Sequence, residues 1–367
     1  MEGGKMIQVF KTNPMDKLES IYFKDDEEII KDVSIFREKN TWINLTDPND
    51  EDVAAIQQAF DIPVEHLKAA LDEEEKSRLE IDGDILLIII DVPIHSEKDK
   101  CSFTTIPLGI IVLKDNIITV TTEKFPLIDE FVKGRIKGFF TYKKTRFILQ
   151  LLFRNTSYYL YYLRQIGRVG DVVENRLKKY MENEELMLLL ELEKSLVYFT
   201  TSLKSNEAVL DKIMRMQLVK KYPDDLDLLD DVIIDTKQAI EMASIYSSIL
   251  SGTRDAFSTV MSNNLNNVMK RLTSITVVLA IPTIISGIWG MNVAVPFAEN
   301  PFGFAAVIIL SFKTIIPRGI VVNEHLSFSL WIGTSIIIRR ISPSISKRDF
   351  SSSSKACLLY TSPSPRD

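Results

Sequence analysis

The chain has little of what redox, zinc or nucleophilic chemistry requires. Its 367 residues include two cysteines and three histidines. Cys101 and Cys357 lack the spacing of a metal or redox motif, so neither a disulfide framework nor a thiol site is expected. The histidines stand singly, at His66, His95 and His325. Neither a phosphate-binding loop nor a nucleophile paired with a base is found, and an enzyme is not expected.

Basic residues are also in deficit. The chain carries 44 Lys and Arg against 50 Asp and Glu, for a formal net charge of −6 at pH 7. This balance argues against a nucleic-acid partner, because phosphates attract basic surfaces. Acidity of this kind suits a protein that meets Mg²⁺ or Ca²⁺, whose preferred ligands are carboxylate oxygens.

Charge is absent from one long stretch, the 20 residues from Leu272 to Met291. A helix rises about 1.5 Å per residue, so this stretch covers about 30 Å, the thickness of a bilayer's hydrocarbon core. The sequence therefore predicts a transmembrane helix. Lys270 and Arg271 precede it far from the N-terminus, which excludes a signal peptide and places a large hydrophilic domain on the cytoplasmic side.

The first 145 residues predict an α/β domain. A helix is expected from Pro48 to Ala59, capped by Asp47 or Asn49, with a second helix from Val64 to Leu71. The isoleucine-rich run from Ile85 to Val92 is typical of a buried strand. A hairpin is predicted from the two strands that flank Lys114-Asp115-Asn116, at Phe103 to Val112 and Ile117 to Thr122.

Proline is absent and glycine scarce in the next part of the chain, which predicts helices. Residues 145–217 contain no proline and only Gly167 and Gly170. The segment Tyr222-Pro223-Asp224 interrupts the pattern, and a new helix is expected from Asp225 to Met291 with Asp224 as its cap. At about 1.5 Å per residue this helix would be about 100 Å long, as in a stalk that enters the bilayer.

Polar and small residues recur along that helix in steps of three and four, which places them on one face. They are Asp255, Thr259, Ser262, Asn266, Met269, Thr273, Thr276, Ala280, Thr283 and Gly287. Lipid cannot satisfy polar side chains, so the face is expected to meet protein or water. Helix packing through small residues is one interpretation. The other is an axial pore with Met269 and Leu272 as a hydrophobic constriction.

The end of the span resembles a known family. Gly290-Met291-Asn292 follows Trp289, and a short loop with Pro296, Glu299 and Pro301 leads to a second apolar run. This arrangement is similar to the GMN motif of the CorA family of divalent-cation channels. The similarity extends over about residues 40 to 310 and includes Trp42-Ile43-Asn44-Leu45 and Leu71-Asp72-Glu73-Glu74-Glu75.

The resemblance implies an α+β membrane protein that assembles as a homopentameric funnel. Its cytoplasmic α/β sandwich domain would precede a long stalk helix that continues into the first of two C-terminal transmembrane helices. The expected location is the cytoplasmic (inner) membrane of a prokaryote, with lipid around the spans and the N-terminal domain in the cytoplasm. The expected boundaries are 1–145 for the α/β domain, 146–222 for a helical region, 223–271 for the stalk, 272–291 for the first span, 292–301 for the outer loop and 302–322 for an atypical second span.

The last part of the chain departs from the family pattern. Lys313 and Arg318 fall in the second span, and each charge at a helix centre costs about 2.5 to 3.5 kcal/mol. We expect a frameshift or chimeric join near residue 312 and an aberrant tail at 323–367. The alternative is a divergent hairpin whose charges snorkel or face the bundle.

Asn292 is the residue expected to carry ion selectivity. Mg²⁺ sheds water reluctantly, so a ring of neutral amide oxygens can bind the hydrated ion and release it, whereas direct carboxylate ligands would trap it. Gly290 is expected to allow close backbone approach where the helix ends, and Met291 to pack beside it. The simpler alternative for Asn292 is a helix C-cap.

The predicted site therefore has three parts. The selectivity filter is Gly290, Met291 and Asn292, and the pore lining is Asn266, Met269, Leu272, Thr273, Thr276, Ala280, Thr283 and Gly287. By resemblance, Asp255 is the stalk position that shares a regulatory Mg²⁺ with a neighbouring subunit, with Asp72 or Glu73 as guesses for its partner.

The predicted function is passive influx of hydrated Mg²⁺, with Co²⁺ and Ni²⁺ as further cargo, gated by cytoplasmic Mg²⁺ and without an organic cofactor. One alternative is a zinc or other divalent-cation transporter of the same fold. The other is a membrane-anchored helical scaffold.

Overall fold

The computed structural model describes residues 6–25, 33–95, 102–180, 183–216, 223–291, 302–306 and 308–309. The chain divides into two units, Met1–Met261 and Ser262–Asp367. The strands are β1 (Met6–Thr12), β2 (Leu18–Lys24), β3 (Thr41–Thr46), β4 (Arg78–Asp82), β5 (Ile85–His95), β6 (Phe103–Val112) and β7 (Ile117–Thr121). The helices are α1 (Asp50–Phe60), α2 (Val64–Lys68), α3 (Pro126–Val132), α4 (Lys144–Tyr180), α5 (Asn183–Arg215) and α6 (Pro223–Trp289).

The expected cap of α1 is confirmed at Asn49. Its side chain accepts a hydrogen bond from the Asp52 N–H at 2.8 Å, and the Asp52 carboxylate accepts one from the Asn49 N–H at 3.2 Å. This reciprocal pair satisfies two N–H groups that the first turn of a helix leaves without partners. The predicted second helix is shorter than expected, since α2 ends at Lys68 and a 3-10 turn continues to Leu71.

The first unit contains a seven-stranded sheet in the order β2-β1-β3-β7-β6-β5-β4. β3 and β7 are parallel and the other pairs are antiparallel, so the sheet is mixed. The predicted hairpin is confirmed as β6 and β7, closed by a hydrogen bond from the Leu113 N–H to the Asn116 carbonyl at 2.9 Å.

Helices cover both faces of this sheet, as the predicted sandwich requires. On one face, Ile43 and Leu45 of β3 share a buried cluster with Ile56 of α1. On the other face, Trp42 of the same strand packs with Phe147 of α4. Neighbouring residues of β3 therefore enter opposite cores, because side chains alternate along a strand.

The Trp42-Ile43-Asn44-Leu45 segment lies in β3, where every residue is buried. The Trp42 indole N–H donates to the Thr119 hydroxyl at 2.9 Å, and that hydroxyl donates to the Asn44 side-chain oxygen at 2.8 Å. These bonds satisfy polar groups that burial between the two helical layers would otherwise leave unpaired. This part of the family resemblance therefore serves the core of the domain.

The two glycines of the helical region lie where α4 approaches α6. A Cβ built on Gly167 would lie 2.9 Å from Cζ of Tyr246, and one built on Gly170 would lie 3.0 Å from Cδ2 of Leu250. A larger residue at either position would displace its neighbour. The glycines therefore leave room on α4 for these two side chains of α6.

The long helix begins two residues earlier than expected. α6 starts at Pro223, so this proline lies in the first turn of the helix. The expected start is Asp225. A proline fits the first turn because the N–H it lacks would have no partner within the helix. The helix is 67 residues long, as predicted, and ends at Trp289.

The second unit includes the membrane-spanning part of α6. Residues 303–306 and 308–309 are helical, where the second span is expected to begin. The whole predicted outer loop at 292–301, the remainder of the second span, the predicted join near residue 312 and the tail at 323–367 lie outside the described residues. Asn292 lies outside them as well.

Candidate functional site

The C-terminal part of α6 is built for a lipid environment. Among the described residues, α6 is the one helix long and apolar enough to cross a membrane, and its most apolar window has a mean hydropathy of 1.9. Leu272, Ile275, Leu279, Ile284 and Ile288 are each more than half exposed in the single chain. Apolar side chains so exposed call for lipid or other protein around this segment.

The predicted pore-lining residues all lie on α6 and are exposed in the single chain. At 3.6 residues per turn they occupy an arc of roughly 120° around the helix axis. The members are Asn266, Met269, Leu272, Thr273, Thr276, Ala280, Thr283 and Gly287. The opposite arc of the span includes four apolar residues, Ile275, Val278, Ile281 and Ile285, together with Ser274.

Two threonine hydroxyls on this arc donate their hydrogens to carbonyls of the same helix. Thr276 donates to the Leu272 carbonyl at 2.9 Å, and Thr283 donates to the Leu279 carbonyl at 3.0 Å. A hydroxyl whose single hydrogen is used in this way presents only oxygen lone pairs to its surroundings. Each of these two threonines therefore presents a hydrogen-bond acceptor on this arc.

The helix ends just before the filter motif. The Gly290 N–H donates to the Ser286 carbonyl at 2.9 Å, and a Cβ on Gly290 would lie 3.3 Å from that oxygen. A side chain at Gly290 would crowd that carbonyl, and the close backbone approach expected at this position stays a prediction. Met291 follows in a bend, with its side chain exposed in the single chain.

Asp255 lies on α6 in the first unit, and its side chain is 71% exposed. Its Oδ1 accepts hydrogen bonds from Nε and Nη2 of Arg254, at 3.3 and 3.4 Å. Arg254 also donates from Nη1 to Oε2 of Glu193 on α5 at 2.6 Å. The structure thus places the Arg254 guanidinium beside the predicted regulatory carboxylate of Asp255. This pairing is not predicted from the sequence.

The suggested partners of Asp255 lie in a turn after the second helix. The Asp72 carboxylate accepts a hydrogen bond from the Glu74 N–H at 3.0 Å, and Glu73 is exposed. Within the described part of the chain, His, Cys, Asp and Glu side chains do not form groups of three or more suited to a metal ion.

A buried polar cluster around Asp91 is not predicted from the sequence, because the strand that contains Asp91 is interpreted there as apolar. Asn155 and Tyr159 of α4 and Asn206 of α5 all donate to the Asp91 carbonyl, at 2.9, 3.2 and 2.8 Å. Burial raises the pKa of the Asp91 carboxyl, and hydrogen bonds with Ser202 and Ser77 oppose that rise. The cluster joins the sheet to both helices, and its position identifies a structural role.

Other pKa shifts in this domain have the same main cause. Burial raises the pKa of the Tyr159 hydroxyl well above its usual value, and the nearby Asp91 charge adds to that rise. Burial lowers the pKa of the Lys144 ammonium, which donates to the Leu113 carbonyl at 2.6 Å.

A mixed-sheet domain followed by a long helix with an apolar end defines a class of membrane protein, and comparisons identify the family. The profile described as CorA-like Mg²⁺ transporter protein matches residues 37–322. The cobalt/magnesium transport protein CorA of Methanocaldococcus jannaschii is 32% identical over 282 residues, covering 73% of this chain and 85% of the relative. The protein of the same name from Thermotoga maritima is 25% identical over 272 residues, covering 72% and 76%.

A solved structure supports the same assignment. The complete structure of the CorA magnesium transporter from Methanocaldococcus jannaschii matches with a TM-score of 0.69 at 28% identity, over 84% of this chain and 94% of that one. The chain belongs to the CorA-like Mg²⁺ transporter family. The resemblance inferred from the sequence is therefore confirmed, together with the mixed-sheet domain and the transmembrane helix.

Proposed function

We propose that this protein is a channel for passive influx of hydrated Mg²⁺ across the cytoplasmic membrane of a prokaryote. The observation that carries the proposal is the arc of α6 that presents threonine lone pairs and small residues along the span. Such an arc suits a path for a cation that keeps its water, because each bound water donates hydrogen bonds outward. Family membership supports the same cargo.

Asn292 is the proposed selectivity residue at the outer end of this path. Its amide oxygen can accept hydrogen bonds from the waters of Mg²⁺. The ion can then bind and leave without losing those waters. Gly290 and Met291 bring the chain to that point at the end of α6. Co²⁺ and Ni²⁺ are hydrated ions with the same charge as Mg²⁺, and we propose them as further cargo.

A single α6 cannot enclose a channel, so the path requires several copies. We propose a homopentamer whose α6 helices surround the axis with the acceptor arc inward. Exposed apolar side chains on α5 and α6 support burial against neighbouring subunits: Met187, Leu190, Val197, Ile245 and Ile249. Met269 and Leu272 would form an apolar constriction that closes by excluding water.

The membrane potential is sufficient to drive such influx. Moving one charge across 100 mV changes the free energy by about 2.3 kcal/mol, so a divalent ion entering the cell gains roughly 4.6 kcal/mol. A nucleotide-driven step is therefore unnecessary. With the N-terminal unit in the cytoplasm, Mg²⁺ bound at Asp255 would report the internal concentration and hold the channel closed.

Ion uptake by a Mg²⁺-starved host tests the proposal. Cells that express the chain should take up Mg²⁺ down the potential, and a protonophore that collapses the potential should slow that uptake. Competition with Co²⁺, Ni²⁺ and Zn²⁺ orders the cargo. If Zn²⁺ is transported and Mg²⁺ is not, the zinc transporter of the same fold is correct, and absence of any uptake by membrane-inserted protein supports the scaffold.

The regulatory role of Asp255 gives a second prediction. Millimolar Mg²⁺ is expected to protect the purified full chain from chymotrypsin, and Asp255→Lys is expected to be protected without Mg²⁺ because the lysine replaces the cation. Digestion across a Mg²⁺ series, followed on a gel, measures both effects. Equal cleavage of the two proteins with and without Mg²⁺ would remove the regulatory site from the proposal.

A further inference from the structure

Arg254 makes contacts of two different strengths with two carboxylates. Its bond to Oε2 of Glu193 is 2.6 Å long, whereas its contacts with Oδ1 of Asp255 are 3.3 and 3.4 Å. A further bond from Nη2 to the Ser251 hydroxyl at 3.1 Å fixes the guanidinium plane. A charge-assisted bond weakens as it lengthens, so the Glu193 contact is the anchor and the Asp255 contacts are the ones that can yield.

The exposed fractions of the two carboxylates also indicate that Glu193 is the anchor and Asp255 the weaker contact. The Glu193 side chain is 15% exposed and its Oε1 is buried without a hydrogen-bond partner among the described residues, so loss of Arg254 would leave a shielded carboxylate uncompensated. The Asp255 side chain is 71% exposed and open to ions from solution. A cation that approaches Asp255 meets a guanidinium that stays in place.

We propose that Arg254 is a tethered competitor of divalent cations at Asp255 and sets the Mg²⁺ concentration at which the stalk site fills. Anchored by Glu193, Arg254 neutralises part of the Asp255 charge in the absence of metal. When a dication binds Asp255, the nearby guanidinium repels it. This inference rests on the proposed role of Asp255 as the regulatory Mg²⁺ ligand. The threshold would thus depend on two residues that do not themselves bind the ion, Arg254 and Glu193.

The two residues should shift the threshold in opposite directions. Arg254→Gln removes the competing charge, and the Mg²⁺ concentration for half-maximal protection from chymotrypsin should fall about tenfold, the order expected for one unit charge a few ångströms from a dication in water. Glu193→Gln frees the guanidinium to pair fully with Asp255, so this midpoint should rise by about threefold. Chymotrypsin cleaves after aromatic residues, so neither substitution changes its sites.

Three further variants separate this mechanism from simpler ones. Arg254→Lys keeps the charge and should stay near the wild-type midpoint. Lys237→Gln removes an exposed charge from the same helix about 25 Å away, beyond a Debye length of about 8 Å, and should also leave the midpoint unchanged. The double variant Glu193→Gln/Arg254→Gln should match Arg254→Gln, because Glu193 acts only through the arginine.

The measurement uses the full chain in detergent at constant ionic strength, with assembly checked by size-exclusion chromatography. If Arg254→Gln assembles poorly because Glu193 is left buried and unpaired, the double variant tests the same point without that charge. An unchanged midpoint in Arg254→Gln and in the double variant would overturn the inference, as would a lower midpoint in Glu193→Gln. Asp255→Asn tests the foundation separately: if it keeps the wild-type Mg²⁺ dependence, the regulatory site itself is wrong, whatever Arg254 does.

Discussion

Asn292→Ala is expected to reduce Mg²⁺ uptake to the background of cells without the protein. Alanine cannot accept hydrogen bonds from the waters of the ion, and every subunit of a symmetric assembly loses its amide at once. The protein should still reach the membrane, because the apolar span from Leu272 to Met291 is unchanged. Uptake in the Mg²⁺-starved host, normalised to membrane-inserted protein, measures the effect.

Asn267→Ala is the matched control for that experiment. Asn267 is an exposed asparagine of α6 that lies outside the predicted pore-lining set, so its loss should leave uptake close to wild type. Asn292→Asp provides a second comparison, since a carboxylate ring would hold the ion more tightly and slow its release. Normal uptake by Asn292→Ala would show that selectivity lies elsewhere.

Local features of the fold could be predicted because neighbouring residues determine them. Asn49 caps α1 through a residue three positions away, and the turn at residues 114–116 closes a hairpin between adjacent strands. The apolar end of α6 follows from composition alone. The spacing of the threonines along it predicts one face without knowledge of any other element.

Contacts between distant parts of the chain could not be predicted in the same way. The parallel pairing of β3 with β7 joins strands about seventy residues apart, and neither strand's pattern identifies its partner. Asp91 follows a run of isoleucines, so its polar partners on α4 and α5 are visible only in three dimensions. Glu193 and Arg254 are 61 positions apart, and the arginine beside Asp255 could be noticed while its anchor could not.

A buried ion pair in the first unit is another contact between distant residues that could not be predicted from the sequence. Lys24, the last residue of β2, pairs with Asp52 of α1, and their side chains are only 5% and 2% exposed. Asp52 also accepts the Asn49 N–H, so its carboxylate serves both the pair and the helix cap. A buried pair contributes modestly as a unit, but removal of one partner leaves an uncompensated charge in the core.

Lys24→Met is therefore expected to destabilise the first unit by about 3 to 5 kcal/mol, which lowers Tm by roughly 6 to 20 °C for a domain of this size. Thermal unfolding of the full chain in detergent, followed by circular dichroism, measures the shift. Lys11→Met, which removes an exposed pair with Glu38, should cost no more than about 1 kcal/mol. The double variant Lys24→Met/Asp52→Asn should recover most of the loss, because the amide carries no charge and its oxygen can still accept the Asn49 N–H. If Lys24→Met and Lys11→Met unfold at the same temperature, the buried pair does not hold β2 against α1, and apolar packing alone positions that helix.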